Sequence, residues 1–184
     1  LNGIDIREFD VADYRRRFGL VLQDLFLFPA PIAENLRAFR SEVTQQDLEE
    51  AANLTDIHTS ILNRSDGYAT VLKESGEGFS YGQRQLIAFA RALAVKPQVL
   101  VLDEATSSVD PGTELRIQAT MKKLTEGRTS FIVAHRLSTI RRATSIIFVK
   151  AGEITESGNH DELIRQKGSY FDLLSHVDPE KEML

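Results

Sequence analysis

The fold class this sequence predicts is α/β, built on a mainly parallel sheet, and three features carry the prediction. The run VLVL at 99–102 is uninterrupted and apolar, the pattern of a strand buried on both faces of a parallel sheet. Ahead of it, Leu86, Phe89, Ala90 and Leu93 recur at helical spacing. Behind it, a capped helical stretch leads to a second strand-like run at 130–134. Strand, helix, strand in that order is a βαβ unit, whose strands lie parallel in one sheet.

From the N-terminus, LNGIDIREF alternates apolar and polar positions and reads as a strand, and FGLVLQD is a second short run of that kind. Pro29 and Pro31 then interrupt any regular element. Between 44 and 62 the pattern is helical. Thr44 stands as an N-cap, Asp47 follows in capping-box spacing, and Leu48, Ala51 and Ala52 share one face. Gly67, Gly76 and Gly78 mark loops before the next helix, which opens at Gly82 and ends at Lys96-Pro97. Asp110-Pro111 supplies an N-cap and a first helical residue for a helix to about Leu124. The run at 130–134 reads as another buried strand. The segments 146–149 and 153–155 flank Ala151-Gly152, a hairpin turn, and 159–166 and 170–175 read as short amphipathic helices. Residues 178–184 are polar and are expected to fray.

With 184 residues, 42% of them hydrophobic and 27% charged, the chain can bury one sizeable core. Its formal net charge of -5 speaks against a nucleic-acid binder, which needs a basic face to neutralise phosphates. The clusters Arg15-Arg16-Arg17 and Arg141-Arg142 are short and read as solvated surface charge. Without cysteine there can be no disulfide, thiolate zinc site or thiol nucleophile. No stretch approaches the roughly 18 apolar residues that span a bilayer, so any membrane association is expected through a partner or another segment. The chain opens at Leu1 and enters strand-like sequence directly, and it reads as a fragment of a longer protein.

The chemistry concentrates between Phe79 and Asp110. A hydrophobic strand ending in Asp103 sets a carboxylate at the C-terminal edge of a parallel sheet, where open α/β folds bind ligands, and Glu104 beside it can orient a water. Read alone, two acids at a strand end also suit a strand that is merely leaving the core. Ser80, Gly82 and Gln83 stand where a helix begins, and the unpaired N–H groups there favour a phosphate. The plainer reading of Ser80 is an N-cap. His58, His160 and His176 carry no pattern that lifts them above ordinary structural histidines.

Together these residues resemble the nucleotide-binding domain of ABC transporters, in its exporter-type branch. Gln23 in VLQD resembles the Q-loop glutamine, FSYGQ at 79–83 the signature usually written LSGGQ, and VLVLD at 99–103 Walker B. Glu104 matches the catalytic glutamate, SSVD at 107–110 the D-loop, and His135 in IVAHRLS the switch histidine. GYATVLKESG is similar to the exporter loop that meets the transmembrane domains. Six motifs in the family's order make the resemblance specific.

The resemblance implies a P-loop NTPase-like fold, a mainly parallel sheet core with an inserted helical subdomain. Residues 1–27 and 96–158 would then form the ATPase core, 28–95 the helical subdomain and 159–184 the C-terminal helices. It implies ATP and Mg²⁺ as ligands. Asp103 and Gln23 serve the metal, Glu104 polarises the attacking water, His135 contacts the γ-phosphate, and Ser80, Gly82, Gln83 and Asp110 serve a nucleotide across a head-to-tail dimer. The implied partners are a second nucleotide-binding domain and the transmembrane domains, at the cytoplasmic face of a membrane.

Departures from the family pattern are specific. Phe79 and Tyr81 stand where Leu and Gly are usual, and Lys73 replaces a usual glycine. No G-x-x-x-x-G-K occurs in the sequence, so the P-loop strand and helix are expected to be absent and these residues alone to bind ATP poorly. Two alternatives remain beside an exporter ATPase: a non-hydrolysing structural or regulatory partner that presents the signature in trans, and a soluble ABC-type ATPase. A helicase, suggested by the DEAT string, is disfavoured because His135-Arg136 leads into Leu-Ser-Thr.

Overall fold

The computed structural model describes residues 1–73, 76, 78–103, 111–134 and 136–176, with the backbone alone at 111 and 176. The chain divides into two compact units, Leu1–Ile132 and Val133–Leu184.

β1 (Phe18–Val21), β2 (Val99–Asp103) and β3 (Thr129–Val133), which lie in the first unit up to Ile132, form a sheet in the order β1-β2-β3. β1 and β2 run parallel, with Phe18 opposite Val99 and Val21 opposite Leu102. At Gly19 the sheet comes close against a helix. A Cβ there would stand 2.6 Å from the carbonyl oxygen of Ala92 and 2.9 Å from Leu100 and Pro97 side-chain carbons, so only glycine fits.

That helix, α5 (Tyr81–Ala94), is the centre of the unit. Leu86, Ile87, Phe89 and Leu93 are all buried along it, each worth about 1.5–3 kcal/mol of removal from water. It packs against β1, α2 (Ile32–Arg37), α3 (Gln45–Leu54) and α6 (Pro111–Thr125). Ile32 and Leu36 of α2, Leu48, Ala51 and Ala52 of α3, and Ile117, Met121 and Leu124 of α6 complete the core. Thr44 caps α3 in the expected box with Asp47, which also holds Lys96 beyond the end of α5 at 2.5 Å. Lys96 takes the left-handed conformation (φ 47°) and ends α5 ahead of Pro97.

The second unit holds α7 (Leu137–Arg141), the hairpin β4 (Ile146–Lys150) and β5 (Glu153–Gly158), α8 (His160–Gln166) and α9 (Ser169–His176). Ala151 (φ 52°) and Gly152 (φ 83°) make the expected tight turn. Glu156 accepts hydrogen bonds from the first two amides of α9, Ser169 N at 2.5 Å and Tyr170 N at 3.2 Å, as a carboxylate at a helix N-terminus does. His160 shares a 2.7 Å hydrogen bond with Tyr170, and in the first unit His58 shares one of 2.8 Å with Tyr68. Both histidines are structural, as the sequence suggests. His176 is described by its backbone alone.

Three sequence expectations are corrected. LNGIDIREF is not a strand: it folds as a 3₁₀ turn at Ile6–Glu8 followed by α1 (Val11–Arg16). Asp5 accepts from Arg7 N and Asp10 from Ala12 N and Asp13 N, and these local bonds outcompete a short alternation with no partner strand. The helical stretch 44–62 is two helices. The Thr55 hydroxyl bonds back to Ala51 O and Ala52 O, Asp56 turns left-handed (φ 56°), and α4 (His58–Leu62) begins afresh. The β3 strand is not buried on both faces: it alternates, with Phe131 59% and Val133 56% exposed. α2 and α7 carry too few residues for periodicity to reveal. The tail 178–184 lies outside the described residues. Among the described residues no helix is long and apolar enough to cross a membrane.

Candidate functional site

Asp103 is the last residue of β2 and Gln23 lies two residues beyond the end of β1. The parallel register, with Val21 opposite Leu102, brings both to the C-terminal edge of adjacent strands. Asp103 is half-buried and Gln23 exposed, and among the described residues neither side chain has a hydrogen bond or ion pair. A carboxylate and a carboxamide are hard oxygen donors that would suit Mg²⁺ better than a transition metal. No cluster of three or more His, Cys, Asp or Glu stands among the described residues as a closed cation cage.

Ser80 is the N-cap of α5. Its Oγ accepts from Gln83 N (3.2 Å) while Gln83 Oε1 accepts from Ser80 N (3.0 Å), a reciprocal capping box. The plainer reading of Ser80, an N-cap, is the one seen here. The hydroxyl accepts within the cap, yet its own O–H stays available to donate to a ligand. Tyr81 and Gly82 occupy the first two helical positions, whose N–H groups have no intrahelical partner by position, and Gly82 is buried. The end of α5 that meets Gly19 lies at Ala92, about 16 Å along the axis from Tyr81 at 1.5 Å per residue. One helix thus carries the sheet contact at one end and the Ser80 cap at the other. Among the described residues no hydrogen bond or ion pair joins Ser80, Gly82 or Gln83 to Gln23 or Asp103. Glu104, Asp110 and the rest of SSVD, His135, and Glu74 and Ser75 of GYATVLKESG lie outside the described residues.

Two residues that sequence reasoning missed fix the loop after Gln23. Asn35, fully buried on α2, accepts from Phe28 N (2.8 Å) and donates to Phe28 O (3.0 Å), Ala30 O (3.2 Å) and Pro31 O (3.3 Å), its two amide protons shared among three carbonyls. Arg91, in α5, donates to Phe26 O (2.8 Å), Asn35 O (2.8 Å) and Asn35 Oδ1 (3.0 Å), and lies 5.5 Å from the centre of the Phe28 ring. Burial pushes the Arg91 guanidinium below its usual value, and three acceptors in range keep it charged. The loop is also pinned from the signature side: a Cβ on Gly76 would stand 2.7 Å from Leu27. An isolated Asn and an Arg 56 positions later give no sequence signal of this contact.

A parallel sheet with an acid at the strand's C-terminal edge, set against a helix capped by serine, defines the P-loop NTPase-like α/β class. The comparisons with known proteins refine it. Residues 1–107 match the family model described as ABC transporter. The chain is 50% identical over 173 residues to the "Uncharacterized ABC transporter ATP-binding protein YfiC" of Bacillus subtilis (strain 168), covering 94% of this chain and 29% of that protein. It is 45% identical over 173 residues to the "Fatty acid ABC transporter ATP-binding/permease protein" of Mycobacterium tuberculosis (strain CDC 1551 / Oshkosh), covering 94% and 27%. The solved structure of a bacterial Atm1-family ABC exporter with ATP bound superposes with a TM-score of 0.83 at 33% identity, covering 97% of this chain and 32% of that one. The chain belongs to the ABC transporter family, as an exporter-type ATP-binding domain. It spans about a third or less of the length of the relatives it matches.

Proposed function

We propose that this chain supplies the hydrolytic and signature elements of an ABC exporter ATPase, which binds ATP between two head-to-tail nucleotide-binding domains and couples its hydrolysis to transport. The observation that carries this is the parallel register of β1 and β2, which delivers Gln23 and Asp103 to one sheet edge. The ATP seen in the exporter neighbour supports the same ligand here.

In this reading residues 1–27 and 96–158 are the ATPase core, 28–95 the helical subdomain and 159–184 the C-terminal helices. Asp103 and Gln23 hold Mg²⁺, which supplies positive charge against the phosphate oxygens. Glu104 follows Asp103 directly and accepts the proton of the attacking water, while His135 steadies the γ-phosphate. Ser80 donates its hydroxyl, and Gly82 its backbone N–H, to the nucleotide held by the opposite domain, with Gln83 keeping the turn in shape and Asp110 reaching across the same interface. The glycine-rich phosphate loop, absent from these 184 residues, comes from outside them. The partners are a second nucleotide-binding domain and the transmembrane domains, which set the chain at the cytoplasmic face of a membrane.

Ser80→Arg tests the division of labour. Ser80 is exposed, so the arginine fits the isolated fold at the cost of a cap worth about 1 kcal/mol, but it fills the space a phosphate needs. ATP-dependent dimerisation of the transporter's nucleotide-binding domains, followed by light scattering, is expected to vanish. A normal ATP-induced dimer would contradict the trans role of the signature.

A further inference from the structure

The turn that leads into Ser80 is held from outside α5 by a residue that no motif marks. Arg64 follows α4 and is fixed there by its own N–H, which donates to Ile61 O at 3.0 Å, and by its carbonyl, which accepts from Gly67 N at 3.1 Å. Its guanidinium lies 4.2 Å from the centre of the Phe79 ring, and the same group donates to Gly78 O. Phe79 is 7% exposed, so the face that meets Arg64 is nearly desolvated, where a cation–π contact counts most. Gly78 takes φ +90°, and Phe79 N donates to Gly76 O at 3.1 Å, so backbone and ring are gripped together immediately before the N-cap. The ring supplies half of this grip, since a leucine at 79 offers no π face to a cation.

We propose that Arg64 is a positioning residue for the nucleotide-facing turn: through Phe79 and Gly78 O it sets the Ser80 hydroxyl and the first amides of α5 in place for the phosphate. This role rests on the function proposed above. Because the proposed contact of Ser80 is with bound nucleotide, loosening the turn weakens ATP-driven assembly and leaves the hydrolytic acids of the β2 edge untouched.

The experiment is steady-state hydrolysis by the intact transporter carrying Arg64→Met, which keeps an apolar stem without the charge, alongside Phe79→Leu, the double variant, Arg64→Lys and Glu104→Gln. Either single variant is expected to raise the KM for ATP about three- to tenfold with kcat at saturation within about twofold. Arg64→Met in the Phe79→Leu background is expected to add less than about twofold, because its aromatic partner is already gone and only the Gly78 O bond is left to lose. Arg64→Lys restores a cation over the ring and recovers most of the loss. A merely structural Arg64 lowers the melting temperature and kcat together, with no recovery by lysine, and that result overturns the proposal. So does a wild-type KM in the single variants, or single effects that multiply in the double. Should Arg64→Met fail to fold, Phe79→Leu, a substitution that preserves an apolar side chain of similar bulk, decides alone by its KM. Glu104→Gln separates the two levels: a wild-type rate there removes the hydrolytic reading and this role with it, whereas a dead Glu104→Gln beside wild-type Arg64 and Phe79 variants removes only the role.

Discussion

Replacing Asn35 with alanine probes how the Gln23 loop is held. The side chain is fully buried and bonds to Phe28 N, three carbonyls and Arg91 Nη2, with Oδ1 accepting both N–H donors. Those two donors also fix the amide orientation, because the flipped form sets NH₂ against N–H. Truncation removes a neutral bond to Phe28 N worth about 1 kcal/mol, a bond to a charged guanidinium worth about 1.5–3 kcal/mol, and the partner of at least one buried carbonyl worth about 1 kcal/mol. The expected loss is about 3.5–5 kcal/mol, a large share of the 5–15 kcal/mol that typically separates folded from unfolded domains. Urea denaturation followed by circular dichroism measures it, with the slope unchanged and the midpoint lowered. Asn35→Ala also frees the loop that carries Gln23, so amide exchange at Phe28 is expected to quicken while exchange along α6 responds less. A loss below about 1 kcal/mol would refute the reasoning, since it would mean that the bonds are satisfied by water as readily as by Asn35.

Gly19→Ala drives a methyl to 2.6 Å from Ala92 O, a backbone atom that cannot swing aside, and is expected to cost at least about 2 kcal/mol in the same denaturation experiment; unchanged stability would remove the close β1–α5 packing. Asp47 holds the acid limit of the α3 cap. Its hydrogen bond from Lys96, then those from Thr44, lower its carboxyl to about 2, so the stability it lends is present above the unfolded carboxylate value near 4 and is lost as pH falls from there through about 2. Asp47→Asn is accordingly expected to narrow the gap between urea midpoints at pH 7 and pH 3, and an undiminished gap would assign the acid sensitivity elsewhere. Ser80→Arg, as set out above, is expected to abolish ATP-dependent dimerisation.

How far the sequence discloses this molecule depends on whether a feature repeats or stands alone. Val99–Asp103 and Tyr81–Ala94 are legible because each states its burial several times over at a fixed period. The Thr44–Asp47 box is legible because both partners sit at a fixed short spacing. The opening LNGIDIREF misleads because alternation over so few residues is a weaker force than two aspartates capping their own turns. The exposure of Phe131 and Val133 is invisible because it is set by what packs over the sheet, not by the composition of the strand. At the site, Asp103 and Gln23 follow from strand edges and motif order, whereas Asn35, Arg64 and Arg91 act on irregular backbone, where no periodicity operates. The residues proposed to do the chemistry are therefore easier to read than the residues that hold their loops.

The most direct test of a hydrolysing site is Glu104→Gln in the intact transporter, with ATP turnover and ATP-bound dimer measured on the same sample. The amide keeps the shape of the carboxylate but cannot take a proton from water. The expected result is turnover reduced by at least about a hundredfold, in the range of general-base loss, together with a dimer that persists in ATP. Turnover at the wild-type rate would contradict the assignment.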